Sequence, residues 1–242
     1  EVTFLFQADP YARTYHLPGP GHGIRHSGGR LLVQMWHRKP IRWEPNEAKK
    51  DPFDIPVSQR EYGNSVVYSD DGGKTWCNSQ YLPAYGPDGE PYRMGEARLI
   101  ERKDGSVLIS SRFGTARDAY RLKAVSDDRG TSWSEPFYDN AIGPAFPCDS
   151  GLIKVNDNCI LLSRPDCLDA PRRRLTVYAS PDETKTWPYS RIIDPGDACY
   201  SDMAVLPDGD FLVFYGSGYY NGWMGREVSG ARFSPEWVQR AD

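Results

Sequence analysis

The octapeptide "SDDGGKTW", Ser69 to Trp76, returns as "SDDRGTSW" from Ser126 to Trp133 and as "SPDETKTW" from Ser180 to Trp187. The copies begin 57 and 54 residues apart. They share Ser, then Asp two places on, then a small or turn residue, then Thr or Ser, then Trp. These types suit a β-hairpin turn, because Ser and Asp side chains bind nearby backbone N–H groups and Gly accepts a positive φ. Trp then packs beneath the turn. On this reading the octapeptide is a fastener rather than a reactive site, and its spacing measures out the fold.

A second repeat is interleaved with the first, a turn followed by an apolar strand: "SGGRLLVQMW", "KDGSVLISSR", "VNDNCILLSR" and "LPDGDFLVFY". Its turn residues Gly29, Gly105, Asn158 and Gly209 lie 76, 53 and 51 residues apart, so four similar units fill the chain. A module of about 50 residues holding several short strands is the habit of a β-propeller blade. Two packed β-sandwiches are the alternative.

Composition agrees with an all-β protein. Of 242 residues, 39% are hydrophobic and 13% aromatic, and 23 Gly with 20 Pro mark frequent turns. The apolar runs "RLLVQMW" and "FLVFY" are far shorter than the roughly 18 residues that span a bilayer, so no membrane span is expected. Twenty-nine Lys and Arg against 33 Asp and Glu give a net charge of −4, which argues against general affinity for nucleic acid. The five cysteines are an odd number without CxxC spacing, and the four histidines sit among Gly and Pro rather than acidic ligands, so neither a metal site nor a dense disulfide framework is indicated, with room left for one bridge. The chain opens at Glu1 without Met or a signal segment, which we read as a processed start or part of a longer polypeptide.

The octapeptide is an Asp box, and the segments between its copies resemble the sialidase (neuraminidase) family. "GPGHGIRHSGGRLLV" from Gly19 to Val33 is similar to the family's GPGxGI loop and the strand after it. "GEARLIERKDGSVLISSR" from Gly95 to Arg112 has the family's Glu, strand, DG turn, strand and Arg, with Glu96 and Arg112 16 residues apart. "RRRLTVYASPDETKTWP" resembles the stretch in which an Arg stands three residues before Leu-Thr, which selects Arg172. "ACYSDMAVLPDGDFLVFY" is similar to the family's AYSDL followed by a DG turn, and sets Tyr200 at the nucleophile position. The resemblance implies an all-β fold, the six-bladed sialidase propeller with about four blades in this chain. It implies one domain portion over 1–242, no cofactor, an extracellular or periplasmic place, and a sialylated glycan or other acidic sugar as partner.

The chemistry follows from the residue types. A sialic acid carries a carboxylate on its anomeric carbon, and planar guanidinium groups bind carboxylates through paired N–H donors, the role the resemblance gives Arg112 and Arg172. A carboxylate nucleophile would approach an already negative centre, whereas neutral Tyr is repelled less, and sialidases are the Tyr-nucleophile case among glycosidases. A phenol with a pKa near 10 is inert without a base, so Glu96 would take its proton as Tyr200 attacks. Each residue also has a duller use. Tyr200 could be a core tyrosine, Glu96 and Arg112 a strand-surface ion pair, and Arg172 part of a solvated "PRRRL" loop in which Arg173 competes for the role. His22 reads as a wall residue of its glycine loop, and Asp202 as a residue that orients a turn.

Two departures stand out. The family's first clamp arginine, in an Arg-Ile-Pro segment, and its acid/base aspartate have no counterpart here, so about two blades are expected to precede Glu1 or to come from another segment or chain. Many bacterial relatives have Tyr-Glu where this chain has Tyr215-Gly216. Gly216 motivates an alternative, a related Asp-box glycosidase or lyase on another sugar acid, and the absent aspartate motivates a non-catalytic carbohydrate-binding propeller. Thr184 replaces Gly in the third box.

Overall fold

The computed structural model describes residues 15–40, 60–113, 120–169, 171–220 and 224–240. Every sheet is antiparallel. The first holds β1 (Tyr15–Pro18), β2 (Ile24–Arg25), β3 (Leu31–Pro40), β4 (Arg60–Ser69) and β5 (Cys77–Asn78), in the order β1-β3-β4-β5 with β2 also on β3. The second runs β6 (Met94–Glu101), β7 (Val107–Phe113), β8 (Leu122–Ser126) and β9 (Phe137–Tyr138). The third runs β10 (Gly151–Asn156), β11 (Cys159–Pro165), β12 (Arg173–Ser180), β13 (Tyr189–Val205), β14 (Phe211–Tyr220) and β15 (Met224–Phe233). Its six strands are two ladders sharing β13, whose first part pairs with β12 and whose Ala198–Val205 part pairs with β14. A short helix, α1 (Pro235–Gln239), follows, with the Ser234 hydroxyl accepting from the Trp237 amide at its start.

The apolar runs explain how the sheets stack. Side chains alternate between faces along a strand. Leu99 of β6 and Ile109 of β7 join Leu32 and Val66 of the first sheet in one core. Their neighbours Ile100 and Leu108 point the other way, into a core with Leu152, Ile160 and Leu162 of the third sheet. The second sheet is therefore buried on both faces, which is why "RLI" and "VLI" read as continuous apolar stretches. A further core gathers Leu161, Leu175 and Val177 with Met203, Phe211 and Val213 across the shared strand. Such serial stacking is propeller-like, whereas two sandwiches would each enclose a core of their own.

The Asp boxes are turns of the expected kind. In the first, Ser69 Oγ accepts from Gly73 N at 2.8 Å, Asp71 Oδ1 accepts from the amides of Lys74 and Thr75 at 2.9 Å each, and the Thr75 hydroxyl donates to Asp71 Oδ2 at 2.6 Å. Trp76 Nε1 closes the turn on Gly73 O at 3.0 Å. Asp128 and Asp182 repeat the pattern, taking the Ser132 and Thr186 hydroxyls at 2.6 and 2.7 Å. The turns also reach across sheets. Arg30, in the first hairpin turn, grips Asp70 of box one with two bonds of 2.7 Å and the Thr131 hydroxyl of box two at 2.7 Å. Glu183 of box three accepts from Lys103 N of the second sheet's DG turn at 2.5 Å.

Candidate functional site

Glu96 lies in β6 where the register with β7 shifts between Met94 and Ala97. Tyr200 lies in β13 at a second shift, between Cys199 and Ser201, and its φ is +37°. Bulges re-aim side chains that regular pleating would send elsewhere, and a tyrosine at positive φ is a strained conformation that neighbours must hold. The Tyr200 amide donates to Cys148 Sγ at 3.3 Å, one such restraint. Arg112 is near the end of β7, and Arg172 immediately precedes β12, its carbonyl accepting from Ala198 N at 3.1 Å.

The four residues singled out in the sequence come together. Tyr200 donates its hydroxyl proton to Glu96 Oε1 at 2.8 Å and accepts from Arg112 Nη1 at 3.2 Å, and the same Arg112 nitrogen pairs closely with Glu96 Oε2. The Arg172 guanidinium lies over the Tyr200 ring, 5.4 Å from its centroid, within cation–π range. Its Nε and Nη2 donate to Pro147 O at 3.1 and 2.7 Å. The adjacent arginines are separated by burial: Arg172 is 3% exposed, while Arg173 reaches outward to Asp169 at 2.8 Å. Glu96 and Arg112 are mostly buried too, so theirs is not a surface ion pair.

Burial, and then the Glu96 charge, push the Tyr200 phenol up to about 12 despite Arg112. Burial pulls Arg112 down, but Glu96 and Tyr200 outweigh it and hold the guanidinium above its ordinary value. The resting cluster is thus a neutral phenol hydrogen-bonded to a glutamate beside fixed positive charge. Beside Tyr200 opens a cavity of about 330 Å³, lined among others by Arg98, Asp149, Asp202, Phe214 and Glu227. That is the lower end of the size range for small-molecule sites.

Three further features were not read from the sequence. Arg98, two residues beyond Glu96, is 2% exposed and pairs with the fully buried Asp149 at 2.6 Å. A basic residue opening the otherwise apolar "RLI" was the available signal. His22 and Asp202, read as wall and turn residues, bond to each other, His22 Nδ1 standing 3.0 and 3.1 Å from the two Asp202 oxygens. Gly216 has a local packing reason: a Cβ there would stand 2.8 Å from Cys199 Sγ and 3.4 Å from the Gly225 Cα. Among the described residues no cluster of three or more His, Cys, Asp or Glu could hold a metal ion, and no helix is long and apolar enough to cross a membrane.

A stacked β-sheet scaffold on which a phenol, a carboxylate and two arginines cluster, with the phenol bordering a cavity, defines a propeller-type protein with a candidate binding site. The chain belongs to the BNR repeat-like domain family, whose model matches residues 6–213. Its curated relatives are sialidases. The sialidase of Micromonospora viridifaciens is 34% identical over 212 residues, covering 83% of this chain and 30% of that protein. Sialidase-3 of Mus musculus is 23% identical over 240 residues, 81% of this chain and 53% of that protein. Among solved structures, the intramolecular trans-sialidase of Ruminococcus gnavus superposes with a TM-score of 0.69 at 20% identity, covering 97% of this chain and 47% of that one. A sialidase of Streptococcus pneumoniae does so at 0.68 and 18% identity, covering 92% and 32%. These superpositions establish the fold, and the chain spans about a third to a half of the length of the relatives it matches.

Proposed function

We propose that the polypeptide carrying this chain is a retaining exo-α-sialidase, releasing terminal sialic acid from glycoconjugates. The observation that carries the reading is the Tyr200 hydroxyl, held at 2.8 Å from Glu96 and 3.2 Å from Arg112. Glycosidase chemistry of the sialidase kind is also the common feature of its curated relatives.

In this mechanism Tyr200 oxygen forms a bond to the anomeric carbon as its proton passes to Glu96 and the bond to the departing alcohol breaks. Arg112 and Arg172 hold the carboxylate on that carbon. The departing oxygen takes a proton from an acid supplied outside this cluster. Water then attacks the glycosyl–tyrosine intermediate, losing a proton to the conjugate base of that acid as the bond to the phenol oxygen breaks and Glu96 returns its proton to that oxygen, and two inversions leave the configuration retained. A phenol raised to about 12 is almost wholly protonated at neutral pH, so transfer to Glu96 during attack is what makes it a nucleophile. We further propose that this chain is the C-terminal portion of a six-bladed domain that works outside the cell or in the periplasm.

A fluorogenic sialoside assay on the full-length polypeptide tests the reading. Tyr200→Phe is expected to abolish turnover by the covalent route, and Glu96→Gln to lower kcat by about 10²–10⁴-fold, the usual worth of general acid–base catalysis. Arg112→Ala removes charge-assisted bonds worth about 1.5–3 kcal/mol, so affinity for the sugar acid should fall by roughly one to two orders of magnitude. Undiminished hydrolysis by Tyr200→Phe would sink the mechanism. Specific sugar binding without any turnover would favour a lectin-like propeller instead.

A further inference from the structure

We infer that Arg98 is the positioning residue that sets the reach between Tyr200 and Glu96, with Asp149 as its anchor. The inference rests on the sialidase reading only for its kinetic consequence; the geometry stands on its own.

Arg98 follows Glu96 by two residues on β6, and its guanidinium reaches two other segments, Asp149–Ser150 and Ser201–Asp202. Nε donates to Ser150 O at 2.7 Å, and Nη2 donates to Asp149 Oδ2 at 2.6 Å and to Ser201 O at 3.0 Å. Nη1 stands 3.5 Å from Asp202 Oδ2. Ser201 is the residue after Tyr200, at the bulge where the tyrosine takes its φ of +37°. One side chain rooted beside the base therefore holds the backbone beside the nucleophile. A strained residue persists only where its surroundings over-determine it, and Arg98 contributes to that here through the Ser201 carbonyl, beside the contacts that Glu96, Arg112 and Arg172 make to the Tyr200 side chain.

The anchor is built with equal economy. Asp149 is fully buried, and Arg98 is the cation it pairs with. Burial alone would favour the neutral acid and pushes Asp149 up to about 6, with Arg98 pulling against it. The Gly19–Gly23 loop roofs the pair, because a Cβ at Gly21 would fall 0.8 Å from Arg98 Nη1. Lysine could not replace this arginine, since one compact ammonium cannot meet a planar fork's partners in three directions. Arg98 touches no reacting atom in this scheme and acts through Ser201 and Tyr200.

The test uses the full-length polypeptide, beginning with wild type and Tyr200→Phe on a fluorogenic sialoside. Arg98→Lys and Asp149→Asn are then compared at temperatures where each is folded by circular dichroism. We expect kcat to fall about 100-fold, the typical loss for a misplacement near 1 Å, while KM stays within about threefold. In parallel, 3-fluorotyrosine at position 200 reports the phenol environment by 19F NMR at neutral pH. Its resonance should stand apart from exposed fluorotyrosines in the otherwise wild-type chain and move towards them in Arg98→Lys. Folded variants with wild-type kcat, or an unmoved 19F resonance, overturn the proposal. Should wild type fail to cleave the sialoside, the sialidase reading fails separately, and the 19F resonance still decides whether Arg98 positions Tyr200.

Discussion

Thr184 holds a φ of +69° where the first two boxes use Gly73 and Gly130. Left-handed backbone costs a β-branched residue about 1–2 kcal/mol, and the return is visible. Thr184 Oγ1 and O accept from the buried Lys123 Nζ at 3.0 and 3.1 Å, and Lys123 also pairs with Asp139 at 2.6 Å. Thr184→Gly should relieve the strain yet strip a charge-assisted bond worth about 1.5–3 kcal/mol from a buried ammonium. A net loss of about 1 kcal/mol is expected in urea unfolding, and a gain in stability would refute this account. Gly216 belongs to the same scale. Gly216→Glu should destabilise by about 1–3 kcal/mol through overpacking against Cys199 and Gly225, read as a lower thermal midpoint. An unchanged midpoint would show that the close approach of β14 and β15 does not demand glycine.

The boxes act as elements through their carboxylates. The Thr75 hydroxyl and its amide hold Asp71 below the usual carboxylate range, and Asp128 and Asp182 are held low because their turn hydrogen bonds outweigh burial. A depressed carboxylate adds stability that is present above its unfolded pKa, near 3.9, and is lost as pH falls towards its folded value. Urea midpoints should therefore drop as pH falls below about 4, and a triple Asp71→Asn, Asp128→Asn, Asp182→Asn chain should show a shallower acid limb. An identical limb would remove the boxes from the acid response. Asp149 has the opposite sign: raised to about 6, it makes the folded state bind a proton more tightly, so its contribution declines as pH rises from about 4 to 6. Much at this scale was legible. The Asp, Ser and Trp spacing identifies the turns because their bonds are made within a few residues of chain. The cross-sheet grip of Arg30 and Glu183 was not legible, since its partners are far apart in sequence.

At the scale of the molecule, the sheets stack in series, each core shared by neighbours, so the last described sheet offers a face that no described residue covers. Phe214 and Val228 on β14 and β15 are 54% and 79% exposed. Large apolar side chains on an open sheet mark a surface that pairs with something. The 242-residue chain expressed by itself should self-associate with rising concentration, and Val228→Lys should weaken that association, as measured by sedimentation. A concentration-independent monomer would refute the open-face reading.

The sequence by itself determined the all-β class, the turn chemistry of the boxes and the four residues around which function is proposed. Local hydrogen bonding and strand alternation leave their marks on neighbouring residues. Tertiary structure decided which of three consecutive arginines turns inward, that Glu96 and Tyr200 both sit at bulges, and that Arg98 reaches from one to the backbone of the other. Those outcomes depend on register shifts and on contacts between segments roughly 50 to 100 residues apart. A one-residue shift reverses the face a side chain takes, and only the assembled sheets determine where that shift falls.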